Sequence, residues 1–567
     1  MTGTRIFRDN KSIRIFNLLP LIFNFQLLYM KRILSLFCIL SFSAMAQVDQ
    51  PKLVVGIVVD QMRFDYINRY WDDFSEGGFK RLVAEGYNCT NTHYNYIPTY
   101  TGPGHASIYT GATPSIHGVI ANSWYDKTTE EYSYCVSDAE MNTVGADNES
   151  GKMSPSKMLN TTFGDELRLF TMNRSKVIGV ALKDRSAVLP AGHMGDFAFW
   201  LDSETGDFVS SSYYGLRLPK WAQKFNKKDL CEEYLSQEWD LLLNSKMYDE
   251  SLVDNSVYEA AFTGEKYPKF PHDLPSLIEA NGKGLIKSTP FGNSLTMDMA
   301  IAAIEGERLG QDEFTDVLAI SFSSTDYVGH QFGTDSRETQ DTYLRLDRDL
   351  EAFLSYLDGS IGKENVLVFL TADHGAVRTP AYLKDRNVPA GYFDAEEPIR
   401  ELKQFLQNIY GFGEWVKTYG NAQIFLNREL IFEKYLSLEE VQQQVADFML
   451  RFEGVQKAVT ARSLERSEFN GGDLSSLQKG YNQKRSGDVL LVLDPAWIEY
   501  DHTGTTHGSG YIYDQHVPLI WYGWKVQTGK TSEKIAITEI ASTISNLLGI
   551  SFPNGADAKV IPLPLSE

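Results

Sequence analysis

The apolar run LVVGIVV at residues 53–59 is followed directly by Asp60, and it determines the predicted fold. It is continuously hydrophobic, which is typical of a strand covered on both faces of a sheet. Further short runs share this character: Lys176–Ala181, Val317–Phe322, Val366–Leu370, Val489–Leu493 and Val517–Trp521. Stretches with helical spacing lie between them: Phe79–Ala84, Ser294–Glu305 and Tyr343–Leu357. This alternation predicts an α/β sandwich with a mostly parallel central sheet.

Two long intervals, about 195–290 and about 380–485, lack the strand–helix alternation. The first is rich in Trp, Tyr, Lys and Asp, and the second carries its own amphipathic helical pattern, Leu438–Phe452. We interpret both as insertions that cap the edge of the sheet. The sequence therefore predicts one domain over residues 47–567 that contains two insertions.

The amino terminus has the pattern of an export signal. Met30-Lys31-Arg32 precedes a ten-residue apolar run, and Ser43-Ala44-Met45-Ala46 follows with small residues at the cleavage positions. We expect a signal peptide at 30–46, cleavage after Ala46, and an over-long start assignment at 1–29. The alternative is a signal anchor that also uses Ile15–Tyr29, against which Asn17, Pro20 and Asn24 argue. Ten apolar residues are too few to span a bilayer, so we expect no stable membrane span after cleavage and a periplasmic or secreted protein.

Composition limits the function classes. The chain has 567 residues, of which 43% are hydrophobic, and this fraction excludes a disordered or low-complexity protein. The formal net charge is −21, whereas a protein that wraps a polyanion normally carries the opposite sign. We therefore expect no nucleic acid as a dedicated partner, and we favour a monomer.

Cysteine usage argues against a thiolate metal site. Cleavage leaves Cys89, Cys135 and Cys231, and no two cysteines form a CxxC pair. In an exported protein this odd count predicts at most one disulfide, for which Cys89–Cys135 is the preferred pair. Any metal must then be held by histidine and carboxylate side chains.

Such side chains follow the predicted strands, where ligands collect in open α/β sheets. Asp326 and His330 are four residues apart, so one helical turn can direct both at a common point. The complete set of candidate ligands is Asp60, Asp326, His330, Asp373, His374 and His507. Taken singly, each has an ordinary interpretation as a helix cap or a solvated loop residue. Together they suit Zn²⁺ or a similar divalent ion, and six ligands are enough for two ions.

A candidate nucleophile lies in Thr99-Tyr100-Thr101-Gly102-Pro103-Gly104-His105. Pro103 can open a helix, which places Thr101 near the N-cap beside free backbone N–H groups. A hydroxyl in that position, with zinc adjacent, is accessible as an alkoxide near neutral pH. The alternative from this segment alone is a simple threonine N-cap.

These motifs resemble the alkaline phosphatase superfamily over residues 50–550. The segment 99–105 is similar to the nucleophile motif shared by the nucleotide pyrophosphatase/phosphodiesterases and the PafA-like alkaline phosphatases, which use threonine. The resemblance implies an alkaline-phosphatase-like three-layer sandwich with cap insertions. It also implies one zinc shell of Asp60, Thr101, Asp373 and His374 and another of Asp326, His330 and His507. Asn122 matches the asparagine that binds a phosphoryl oxygen, and Lys183 and Arg185 match the basic pair that marks phosphomonoesterases.

The implied activity is hydrolysis of phosphate monoesters through a phosphothreonine intermediate at Thr101. A monoester benefits from the extra cationic donors Lys183 and Arg185, because it carries more charge than a diester. The alternatives are a zinc phosphodiesterase or nucleotide pyrophosphatase and a non-catalytic exported binding protein. A sulfatase is disfavoured because no Cys-x-Pro-x-Arg segment occurs.

Overall fold

The strand Leu53–Val59 lies inside a ten-stranded mixed sheet with every residue buried, which explains its continuous hydrophobicity. It pairs in parallel with Asp316–Phe322 on one side and with Val366–Thr371 on the other. The computed structural model describes residues 50–566. The predicted start region at 1–29 and the predicted signal peptide at 30–46, with its cleavage site, lie outside the described residues.

Strands and helices alternate through the described chain. In order, the strands are β1 (Leu53–Val59), β2 (Tyr87–Cys89), β3 (Thr92–His93), β4 (Ser123–Asp126), β5 (Glu131–Tyr134), β6 (Thr143–Val144), β7 (Val177–Ala181), β8 (Phe197–Leu201), β9 (Phe208–Ser211), β10 (Asp316–Phe322), β11 (Val366–Thr371), β12 (Gly391–Tyr392), β13 (Val416–Gly420), β14 (Gln423–Leu426), β15 (Val455–Thr460), β16 (Val489–Leu493), β17 (Trp497–Ile498), β18 (His516–Val517), β19 (Leu519–Gly523), β20 (Gly529–Thr531) and β21 (Ile535–Ala536). The α-helices are α1 (Asp65–Arg69), α2 (Phe79–Glu85), α3 (Thr101–Thr110), α4 (Pro114–His117), α5 (Phe163–Phe170), α6 (Asp184–Ala191), α7 (Lys220–Asn226), α8 (Leu230–Leu235), α9 (Leu274–Asn281), α10 (Phe291–Glu307), α11 (Ser324–Phe332), α12 (Arg337–Ser360), α13 (Pro380–Lys384), α14 (Glu396–Tyr410), α15 (Arg428–Glu433), α16 (Leu438–Met449), α17 (Ala461–Arg466), α18 (Gly472–Gly480), α19 (Ile512–Gln515) and α20 (Glu539–Leu548).

The main sheet has the order β20-β2-β19-β11-β1-β10-β7-β8-β9-β6. Its centre, from β11 through β8, is parallel, whereas β19 and β9 run antiparallel to their neighbours. Helices flank this sheet, and α10 packs against β10 and β7. The predicted α/β class with a mostly parallel sheet is confirmed, and the three predicted helical stretches fall within α2, α10 and α12.

The two predicted insertions have different structures. Part of the interval 195–290 belongs to the main sheet, because β8 and β9 extend it. In the interval 380–485, β13, β14 and β15 join β16 in a separate four-stranded sheet with its own apolar core. The run Val489–Leu493, grouped by its hydrophobicity with the main-sheet strands, is therefore a strand of this smaller sheet.

The predicted disulfide is wrong. Cys89, Cys135 and Cys231 are all free and buried. Cys89 lies in β2 of the main sheet, and Cys135 follows β5 and packs with Val119 and Ile120 in a different apolar cluster. Burial raises the pKa of each thiol to about 12, so these side chains act as small apolar residues.

No helix among residues 50–566 is both long enough and apolar enough to cross a bilayer.

Close packing in the sheet centre generates a stability prediction. A Cβ atom added at Gly56 in β1 would lie 2.5 Å from Cζ of Phe369, and closer still to the Tyr109 hydroxyl. We expect Gly56→Ala to lower the free energy of unfolding by about 1–3 kcal/mol, because neither ring can move without disturbing the core. Denaturant titration measures the change. The matched control is Gly359→Ala near the end of α12, where nothing lies within 4 Å and a gain of up to about 1 kcal/mol is expected; equal midpoints for the two variants would contradict the prediction.

Candidate metal centre and nucleophile

Four of the candidate ligands lie just after three adjacent parallel strands, at one edge of the sheet. Asp60 follows β1, Asp373 and His374 come two and three residues after the end of β11, and Asp326 lies in the first turn of α11 after β10. Because the carboxyl ends of parallel strands meet at the same edge, side chains distant in sequence become neighbours. All four of these residues are buried.

Asp60, Asp373 and His374 form one group that could hold a metal ion. His374 Nε2 lies 3.5 Å from Asp60 Oδ1 and 3.5 Å from Asp373 Oδ2. Both of these carboxylate oxygens are buried and have no hydrogen-bond partner among residues 50–566. An unsatisfied buried carboxylate oxygen is costly, so the donor set fits a bound cation.

Asp326, His374 and His507 form a second group. His507 Nε2 lies 3.6 Å from Asp326 Oδ1, and His330 Nε2 lies 3.2 Å from the same oxygen. The rings of His374 and His507 stack with centroids 3.4 Å apart. The resemblance implies that His374 belongs to one zinc shell only, whereas in the structure it is a member of both groups. His330 contacts the second group through Asp326.

Backbone carbonyls fix the orientation of the three imidazoles. Nδ1 of His330 lies 2.7 Å from the Thr505 carbonyl oxygen, and Nδ1 of His507 lies 2.7 Å from that of Thr99. Nδ1 of His374 lies 3.0 Å from the Gly375 carbonyl oxygen. Since a carbonyl only accepts, each Nδ1 is the donor, which leaves Nε2 as the nitrogen that faces the cluster and could bind a metal.

The electrostatics of the cluster favour a bound cation. Burial, together with the Asp326 charge, raises the pKa of Asp60 to about 6, and burial with Asp60 raises the pKa of Asp373 well above its usual value. Burial lowers the pKa of His507 to about 3, so this ring is neutral at ordinary pH. Crowded carboxylates beside neutral imidazoles are the environment that a divalent ion stabilises.

Lys183 lies between two of the carboxylates. Its Nζ is 2.6 Å from Asp60 Oδ2 and 2.6 Å from Asp326 Oδ2. Burial opposes its charge, but Asp326 and Asp60 outweigh burial and raise the pKa of Lys183. The structure therefore places this residue, predicted as one member of a basic pair, within the carboxylate cluster.

Sequence reasoning missed two residues of the cluster. Gln61 donates from Nε2 to Asp326 Oδ1 at 2.6 Å and from its backbone N–H to Asp373 Oδ1 at 3.2 Å. His105 lies with Nδ1 2.9 Å from the Thr101 carbonyl oxygen and Nε2 2.9 Å from Ser321 Oγ. Their positions in the sequence were the signals that could have indicated them: Gln61 directly follows Asp60, and His105 lies four residues after Thr101.

Thr101 is the first residue of α3, and Tyr100 is the N-cap, one position earlier than predicted. Thr101 Oγ1 lies 3.5 Å from His374 Nε2, so the hydroxyl contacts the histidine next to both ligand groups. A Cβ atom at Gly104 would lie 2.5 Å from the Asp373 carbonyl oxygen. The glycine therefore permits this helix to approach the end of β11 closely enough to place Thr101 there.

Asn122 contacts the residue after Thr101, whereas Arg185 contacts the hairpin β4–β5. Asn122 Oδ1 accepts from the Gly102 N–H at 2.8 Å, and this hydrogen bond fixes the orientation of the Asn122 amide. Arg185 Nη1 donates to the Tyr134 hydroxyl at 3.1 Å. Arg185 Nε is buried and has no hydrogen-bond partner.

Comparison with known proteins identifies the family to which this architecture belongs. Residues 54–516 match the family described as type I phosphodiesterase / nucleotide pyrophosphatase. A protein of Myroides odoratus named calcium-transporting ATPase is 45% identical over 92% of this chain and 96% of its own length. Alkaline phosphatase PafA of Elizabethkingia meningoseptica is 43% identical over 91% of this chain and 94% of its own length.

The crystal structure of wild-type PafA matches with a TM-score of 0.88 at 42% identity, covering 92% of this chain and 100% of that chain. Fold, sequence and order of motifs agree over nearly the whole described region. The chain therefore belongs to the type I phosphodiesterase / nucleotide pyrophosphatase family of the alkaline phosphatase superfamily, as an enzyme of the PafA type.

Proposed function

We propose that the chain is an exported, zinc-dependent phosphomonoesterase that transfers the phosphoryl group of its substrate to Thr101 and then to water. The observation that carries this proposal is the position of Thr101 Oγ1, 3.5 Å from the histidine shared by two groups of metal-binding residues. The name of the relative PafA, an alkaline phosphatase, supports it. The signal-like segment at 30–46 supports a periplasmic or secreted location.

Two zinc ions are proposed as the cofactors. Asp60, Asp373, His374 and Thr101 would hold one ion, and Asp326, His330 and His507 the other. Nitrogen and oxygen donors in this ratio are typical of zinc, and the unpartnered oxygens of Asp60 and Asp373 are free to coordinate. When bound, zinc supplies Lewis acidity toward the oxygens at the phosphorus atom.

Hydrolysis would proceed by two successive displacements at phosphorus, and residues of this chain hold the reacting groups for both. Thr101 Oγ attacks phosphorus, its proton leaves, and the bond to the alcohol oxygen breaks, which gives phosphothreonine and an alkoxide that takes up a proton. Water then attacks the same phosphorus atom, and the bond to Thr101 Oγ breaks to release inorganic phosphate. Placement of Oγ at the start of α3 holds the attacking atom in a fixed geometry beside the metal site.

Asn122, Lys183 and Arg185 would stabilise the remaining phosphoryl oxygens. The Asn122 amide is fixed through its carbonyl oxygen, so its NH₂ group is oriented before substrate binds. Arg185 offers a planar fork that suits two oxygens of a monoester. A zinc phosphodiesterase or nucleotide pyrophosphatase is the second candidate, because the family that matches residues 54–516 is described by those activities.

Replacement of Thr101 tests the nucleophile. We expect Thr101→Ala to abolish turnover of p-nitrophenyl phosphate, because no other group takes the position of Oγ. Thr101→Ser should retain activity and form a covalent phosphoserine that mass spectrometry of acid-quenched protein detects. The matched control is Thr99→Ala, whose hydroxyl instead donates to the Ser509 carbonyl oxygen; full activity of Thr101→Ala would assign the attack to Thr99 or to water.

Metal content tests the cofactor independently of turnover. After reconstitution and dialysis, we expect elemental analysis to find two zinc ions per wild-type chain, one for each ligand group. Asp373→Asn should lose at least one ion, because it removes the charge of a buried carboxylate ligand. The control is Asp312→Asn, an exposed carboxylate that caps the loop before β10; an unchanged zinc content in Asp373→Asn would contradict the proposed shell.

Substrate preference separates the two candidate functions. We expect the wild-type kcat/KM to be far higher for p-nitrophenyl phosphate than for bis-p-nitrophenyl phosphate. Arg185→Ala should lower the monoester value by about ten- to a hundredfold, the effect of one lost charged hydrogen bond, and leave the diester value nearly unchanged. A wild-type preference for the diester would favour the phosphodiesterase instead.

A further inference from the structure

The Tyr134 hydroxyl lies between two charged side chains of neighbouring residues. It accepts a hydrogen bond from Arg185 Nη1 at 3.1 Å and donates its own proton to Asp184 Oδ1. The same Asp184 oxygen accepts from the Arg185 backbone N–H at 2.6 Å. One hydroxyl thus links the carboxylate to the guanidinium.

The guanidinium makes no direct ion pair within 4 Å to any carboxylate in residues 50–566. Tyr134 is its hydrogen-bond partner, while Arg185 Nε is buried and unpartnered. The side chain is therefore held at one nitrogen, and another N–H remains to be satisfied. Since a buried unpaired donor is costly, this N–H is suited to an anionic oxygen of a bound ligand.

The protonation state of Tyr134 supports this arrangement. Burial raises the pKa of the phenol well above its usual value, although Arg185 opposes the rise. The hydroxyl therefore keeps its proton, which it donates to Asp184, and its lone pair remains to accept from Arg185. The direction of both hydrogen bonds is fixed, and a phenylalanine could make neither.

The position of Tyr134 is itself fixed by the hairpin β4–β5, at whose end it lies. Asn421 Nδ2 donates to the Ser123 carbonyl oxygen at 2.7 Å, and the Tyr132 hydroxyl donates to the Tyr419 carbonyl oxygen at 3.0 Å. The next residue, Cys135, donates its N–H to the Asn122 carbonyl oxygen at 2.8 Å. One end of the hairpin therefore contacts both Arg185 and Asn122.

We propose that Tyr134 is a positioning residue that orients the Arg185 guanidinium toward the phosphoryl oxygens of a monoester. This inference rests on the proposed function. Without the hydroxyl, Asp184 would draw the guanidinium into a direct ion pair, and the fork would no longer be preorganised for phosphate. Tyr134 then contributes to the preference for monoesters without contacting the substrate.

A double-mutant cycle tests the assignment. We expect Tyr134→Phe to lower kcat/KM for p-nitrophenyl phosphate by about tenfold, and that for bis-p-nitrophenyl phosphate by less than about twofold. In the Arg185→Ala background, Tyr134→Phe should have no further effect on the monoester. The inhibition constant of inorganic phosphate should rise with the loss of monoester activity.

Tyr213→Phe is the matched control, because it removes an exposed tyrosine hydroxyl that donates to the His193 carbonyl oxygen at 2.9 Å instead of contacting Arg185 or the hairpin. It should leave both kcat/KM values unchanged. Zinc content and melting temperature identify a Tyr134→Phe protein that fails to fold. In that case Asp184→Asn is the second variant, because it keeps the phenol in place. It should show the same selective loss of monoester activity on a smaller scale.

Equal losses on both substrates, or the same loss with and without Arg185, would overturn the role of Tyr134. A wild-type preference for the diester would instead overturn the proposed function, and the coupling between Tyr134 and Arg185 would still be measurable in the inhibition constant of inorganic phosphate. The two failures are therefore distinguishable.

Discussion

The clustering of three buried carboxylates at one edge of the sheet is the constraint on which the site depends. Asp60, Asp326 and Asp373 follow three adjacent strands, and one lysine ammonium lies among them. Like charges in a low-dielectric interior repel strongly unless cations compensate them. Lys183 compensates part of this charge, and the neighbouring imidazoles are oriented by backbone carbonyls so that Nε2 faces the carboxylates, an arrangement that suits a bound cation.

The parallel centre of the sheet fixes the relative positions of these three carboxylates. β1, β10 and β11 keep a continuous register, so the residues after their ends cannot shift independently. The nucleophile helix is brought against β11 by Gly104, which leaves no room for a side chain. Positioning of Thr101 therefore derives from backbone packing, which varies little with side-chain motion.

Much of this could be predicted from the sequence because the relevant signals are local. The continuous hydrophobicity of 53–59 identified a buried strand, and the residues directly after such strands were the ligand candidates. The contacts of Gln61, His105 and Tyr134 could not be predicted, since each depends on which elements become neighbours in space. The disulfide prediction failed for the same reason: cysteine count indicates a compartment, whereas pairing requires the side chains to meet.

The smaller sheet also has a place in the geometry of the site. Its residues Tyr419 and Asn421 bind the hairpin β4–β5, and the open end of that hairpin contacts Asn122 and Arg185. A segment interpreted from the sequence as a cap thus supports the groups proposed to bind phosphate. The sheet edge thus carries the candidate ligands and the nucleophile, while the smaller sheet acts through the hairpin on the groups proposed to bind phosphate. Changes of specificity can then arise in the insertion and hairpin without disturbing the carboxylate cluster.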